Sequence, residues 1–324
     1  MLSGLILRRA ALASSLVLAG PVWLSGQLKV TRLTGEADAA VFYSEATWGN
    51  LHGLVRLTTP LLNLTFVTES GFRPAQRTEA DRALPAALRL AGLKTADFQE
   101  IADAVHDALT AELTAQGIEI LPYEPLAVNP GFQSLADSAP PAGKERPVPA
   151  SYETIAGVSG ARRTVTVIGH HCPWVESFMS ANYLSATSLT RQLGATLPVV
   201  SFLVEFVEYS ADRTLTYDWH EFLPAEQITD APRLRARPLV YLAAGSAAFL
   251  LPDGQTAMLT LTKPVGQDQT FATALRRSKP RDRDERKGGS YEIWADPAAY
   301  KQAVIAMLKP QVVMIARRLA TAAR

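Results

Sequence analysis

The chain has 324 residues, 48% hydrophobic and 19% charged, which suits one large or two small domains and excludes wholesale disorder. Lys and Arg number 32 against 31 Asp and Glu, and the resulting net charge of +1 is not the footprint of a general nucleic-acid binder. A single cysteine excludes an intramolecular disulfide framework and a cysteine-rich zinc site.

In chain order, residues 1–26 read as a secretory signal peptide. Arg8 and Arg9 are their only charges, Ala10–Gly20 is an uncharged run of Ala, Leu, Val and Ser, and Pro21 breaks it. The run is short of the roughly 20 apolar residues an ordinary spanning helix needs. Counting through Trp23 and Leu24 lengthens it, so an uncleaved inner-membrane anchor stands as the alternative. The expected location is periplasmic or secreted, and removal of the segment would take the net charge to −1.

Residues 27–128 form a first α/β segment. Pro60–Glu69 is apolar, β-branched and bounded by Pro60 and Gly71, which predicts a strand; Phe72–Ala86 reads as a charged loop. Phe98, Ile101, Ala102, Val105, Leu109 and Leu113 recur at helical spacing, so Thr95–Gln116 is expected to be an amphipathic helix with Thr95 as N-cap and Gly117 ending it. His106 on this helix is expected to face solvent. Ile118–Leu121 then makes a short strand, expected to share a sheet with Leu197–Tyr209 and to lie under the helix. Residues 129–150, with five prolines, read as a linker or surface loop.

Residues 151–324 form a second α/β segment, expected to share one sheet with the first. Thr164–Ile168 is a strand, Ala181–Leu193 a helix closed by Gly194, and Leu197–Tyr209 a long strand. Pro252-Asp253-Gly254-Gln255 between Leu239–Leu251 and Thr256–Thr262 is a strong hairpin signal. Pro297–Ala323 is helical, with Pro310 expected to kink or split it. The strands PLLNLTFVTE and PVVSFLVEFVE look alike, as strand patterns do by default. The fold class expected is α/β or α+β: a mixed sheet flanked by amphipathic helices, with the Pro-Asp-Gly hairpin and a C-terminal helix.

Asp97–Tyr123 and Ser188–Glu208 resemble the helix-then-strand units of TolB amino-terminal-type and curli-pore-type bacterial envelope proteins. In both, an amphipathic helix ends at a glycine before an apolar strand. The resemblance implies an exported domain used for binding or assembly and carries over no catalytic residue. This chain lacks the lipoprotein cysteine near its signal, and no propeller repeats follow.

The one conspicuous chemical cluster is Gly169-His170-His171-Cys172-Pro173-Trp174, read with Tyr217-Asp218-Trp219-His220-Glu221. Imidazole and thiolate ligate zinc or copper, so His170, Cys172 and His220 are the candidate metal ligands. Adjacent residues on a strand point to opposite faces, which argues against His170 and His171 sharing an ion. His220-Glu221 begins like a zincin helix, but Pro224 stands where the second histidine belongs. No phosphate loop, dinucleotide turn or nucleophile elbow appears. Glu205 and Glu208 in an apolar strand are expected at an exposed edge.

Leu275–Gly289 is the densest charge run, a solvated loop or a contact for anionic headgroups or an acidic partner. It lacks the interleaved aromatics that would stack nucleic acid. The expected function is a non-catalytic binding or assembly role in the bacterial envelope, with no cofactor, no metal and no catalytic residue assigned. The partner would be an envelope protein or small ligand, with membrane contact through the N-terminal segment or the 275–289 loop. The alternative is an exported hydrolase or metal-binding protein built on the Cys172, His170 and His220 neighbourhood.

Overall fold

The computed structural model describes residues 30–32, 43–54, 56–74, 86–137, 142–148, 158–159, 162–170, 183–210, 235–267, 269–279 and 290–324. The N-terminal segment 1–26, Cys172, His220 and all of the charged run beyond Lys279 lie outside the described residues. The strands are β1 (Thr31–Arg32), β2 (Tyr43–Ala46), β3 (Arg56–Leu57), β4 (Leu61–Pro74), β5 (Ala86–Ala91), β6 (Glu119–Ile120), β7 (Glu145–Val148), β8 (Val158–Ser159), β9 (Arg162–Ile168), β10 (Leu197–Ser210), β11 (Arg235–Leu250), β12 (Thr256–Leu261), β13 (Val265–Gly266), β14 (Ala272–Arg277) and β15 (Ser290–Ala295). The helices are α1 (Thr95–Ala115), α2 (Tyr123–Ala127), α3 (Pro130–Asp137), α4 (Tyr183–Leu193) and α5 (Pro297–Ala323).

Thirteen of these strands form one mixed sheet with the spine β1-β13-β11-β10-β4-β5-β15-β14, and β2, β12, β7, β8 and β9 pair off it. The two look-alike strands are neighbours: β4 and β10 run parallel in the register Leu61↔Val199 to Phe66↔Val204, which sets Pro60 level with Pro198. Leu62, Leu64 and Phe66 thereby join Val200, Phe202 and Val204 in the main core cluster. The hairpin forms as expected, with β11 antiparallel to β12 and Gly254 at φ +85°. Asp253 Oδ1 accepts from the Gln255 amide at 2.9 Å, so both turn residues act through their chemistry.

Two strand–helix units, β5–α1 and β15–α5, are built alike. Their strands are parallel neighbours, registered Ser290↔Ala87 to Trp294↔Ala91. Lys301 meets Asp97 and Glu100 near one end, and Arg317 meets Glu112 near the other, so the helices also run the same way. Between helices and sheet, Phe98 lies 4.6 Å from Phe66, and Tyr300 sits edge-on to Phe98 and Phe271. α5 continues through Pro310 as one helix rather than splitting. Its buried stripe from Tyr300 to Ala320 is held on both sides of the proline, which offsets the missing hydrogen bond.

Several expectations change. The stretch 129–150 contains α3 and the edge strand β7: Asn129 Oδ1 accepts from Gly131 and Phe132 amides, and Pro130 occupies a first-turn position that proline tolerates. Phe132 and Leu135 then pack with Ala186 and Leu189 of α4 over Leu61, Val199 and Leu250 in a second cluster. β6 does not join the main sheet. It pairs in parallel with β3, because Gly117, at φ +82°, turns the chain off α1 only a few residues before Pro122, which has no amide to donate. The N-cap of α1 is Lys94 rather than Thr95, with its amide donating to Asp97 Oδ2 at 2.7 Å. β4 runs on to Pro74, into the stretch read as a loop.

Candidate functional site

The described part of the histidine cluster lies where the middle of α1 crosses the end of β9 and the entry to β4. Asp103, His106 and Asp107 stand at positions i, i+3 and i+4 of α1, on adjoining turns of one face. Gln99, one turn earlier, donates to Asp103 Oδ1 and to the Ile168 carbonyl, both at 2.8 Å, and so ties the helix to β9. His170 stands two residues past the end of β9. Its Nδ1 is 3.4 Å from Asp103 Oδ1 and its Nε2 is 3.7 Å from Asp107 Oδ1.

His106 is 7% exposed, a correction to its expected solvent-facing position. Its ring lies against Gly169, where a Cβ would come within 2.8 Å of ring atoms, and edge-on to His170 with centroids 6.0 Å apart. Nε2 is 3.2 Å from the Pro60 carbonyl. A carbonyl only accepts, so Nε2 carries the hydrogen and Nδ1 the lone pair. Nδ1 is buried and has no hydrogen-bond partner among the described residues. Burial above all, with a smaller push from His170, holds the imidazole below its usual range against the opposing effects of the Pro60 carbonyl, Asp107 and Asp103.

This arrangement suits pairing rather than coordination. The two carboxylates approach opposite nitrogens of one ring, so they do not converge on a common ion with it. Among the described residues no group of three or more His, Cys, Asp or Glu side chains is placed to hold a metal. Of the sequence candidates, only His170 is described; Cys172 and His220 lie outside the described residues. Sequence reasoning passed over Asp103 and Asp107, although three titratable residues at i, i+3 and i+4 are a readable signal.

Glu205 also departs from expectation. It is 1% exposed, because β10 lies between β4 and β11 rather than at an edge. Its charge adds to burial in pushing the Tyr300 hydroxyl far above its usual range. Glu208 is half-buried and accepts from the Val30 amide at 3.3 Å.

A second feature closes the β14 end of the sheet. Arg89 donates from Nε to Glu69 Oε2 at 2.8 Å, and its Nη1 reaches Ser278 Oγ at 3.0 Å, the Lys279 carbonyl at 3.2 Å and Ser290 Oγ. This buried network spans β4, β5 and β15 and reaches the residues just after β14. The edge itself is basic: Arg277 and Lys279 are exposed, and the Arg276 guanidinium lies 4.5 Å over the Trp294 ring. Trp294 Nε1 in turn donates to Glu292 Oε2 at 3.2 Å. β14 pairs only with β15 among the described residues. No protein-family model, curated protein or solved structure matches the chain. No helix among the described residues is long and apolar enough to cross a membrane.

Proposed function

We propose that the protein is exported to the bacterial envelope and serves there in binding or assembly, meeting an acidic partner along β14. The observation that carries the binding part is the basic edge strand, with Arg276 held over Trp294 and Arg277 and Lys279 exposed beside it. An edge strand offers unpaired backbone groups to an extended segment, and its cations select an acidic one. The buried Arg89 network holds the base of this edge in place, so binding there would not have to order it. Export is supported by Arg8 and Arg9 ahead of the uncharged run, and the likeness of residues 97–123 and 188–208 to envelope-protein units supports the same reading.

Expression of the full chain in a bacterial host tests both parts. Exported protein is expected to have lost the first 25 or so residues by mass, as a signal peptide does. Cytoplasmic protein with Met1 intact would overturn export. A photo-crosslinker at Arg277 should capture a discrete acidic protein that the same probe at Gln133, exposed on α3, does not. Equal capture from the two positions would remove β14 as the binding edge.

A further inference from the structure

We propose that His106 is an acid-sensing latch, in which its neutral ring seats the middle of α1 on β4 and β9 and its protonation releases that turn. The proposal does not depend on what β14 binds. It stands on the packing of one ring. His106 fills the space that Gly169 leaves open, and its Nε2–H donates to the Pro60 carbonyl just before β4. The other nitrogen is buried and, among the described residues, has no group to receive a hydrogen. A proton added at Nδ1 therefore creates a charge-bearing N–H with nowhere to go unless the helix turn lifts and admits water.

Among the described residues, the charged groups acting on His106 come from two elements. Asp103 and Asp107 belong to its own helix, and His170 comes from the end of β9; from the entry to β4 it meets only the Pro60 carbonyl. Both carboxylates are already engaged with the two nitrogens of His170, at 3.4 and 3.7 Å. His170, its ring centroid 6.0 Å away, adds to burial in disfavouring a charged His106, and the two carboxylates act in the opposite sense.

The sign follows from linkage. With its proton affinity lowered by burial in the seated state, His106 takes a proton more readily when the turn is open. The stability the neutral ring supplies is complete above the usual imidazole range and is lost as pH falls through that range toward the lowered value.

Hydrogen exchange in the full chain tests the latch through Gly169, whose amide donates to the Leu62 carbonyl at 3.0 Å. After correction for intrinsic rates, Gly169 should lose protection several-fold between about pH 7.5 and about pH 5, the span over which imidazole charges. Ala247, in the β11–β12 pairing, should not change. In His106→Gln the side-chain amide can still donate to Pro60 but cannot titrate, so the response of Gly169 should vanish. Equal protection at both pH values in the natural chain, or an unchanged response in His106→Gln, would overturn the latch. If that variant fails to fold, ring NMR of the natural chain decides: His106 titrating in the ordinary imidazole range with no change at Gly169 would equally overturn it.

Discussion

Leu109 is 1% exposed on the face of α1 that also buries Phe98, Val105 and Leu113. Removing its side chain should leave a cavity between helix and sheet that the neighbours cannot fill. Leu109→Ala is therefore expected to lower stability by about 2–5 kcal/mol in a denaturant melt. A change within experimental error would mean the face is packed differently. His106, three residues earlier, was not legible in the same way. A helical stripe tells which side faces inward, but a histidine at its border is admitted or refused by what lies opposite. Here a glycine just past the end of a distant strand leaves the room.

Among the elements, α5 has the clearest start: Asp296 Oδ1 accepts from the Ala299 amide at 2.8 Å, and Pro297 stands in the first turn. Loss of this cap in Asp296→Ala should cost about 1 kcal/mol, read as a lower denaturation midpoint with an unchanged m-value. The cap and the stripe that follows make this helix readable from its residues alone, to the same bounds the structure shows. α3 has comparable signals in Asn129 and Pro130, yet the surrounding prolines read as a linker. Composition over a window of twenty residues averages away an eight-residue helix whose proline sits where proline is tolerated.

For the molecule as a whole, the Glu69–Arg89 pair joins β4 to β5 inside the sheet, with side chains 6% and 8% exposed. Its single removals, Glu69→Gln or Arg89→Met, should each cost about 3–5 kcal/mol, because each strands a buried charge among groups arranged for two. The double substitution should cost clearly less than the sum, and a double-mutant cycle measures the difference. Additive costs would show that the two residues act separately. The pair also explains why the start of the charged run after β14 is fixed in place: Arg89 reaches both Ser278 and the Lys279 carbonyl.

What the amino-acid sequence determined by itself is what depends on neighbours along the chain. The strands β4 and β10, the helices α1 and α5 and the turn at Gly254 all follow from apolar period, caps and turn chemistry acting over a few residues. The mixed α/β character follows from those elements in turn. Only the tertiary structure decided which strands meet: that β4 lies parallel to its look-alike β10, that β6 leaves the main sheet for β3, and that Glu205 is central rather than at an edge. Strand order depends on contacts between residues from tens to more than a hundred positions apart, and no local pattern encodes them. The same holds for the candidate site. His170 was visible as a residue type, but its meeting with Asp103, Asp107 and His106 exists only because α1 crosses the end of β9.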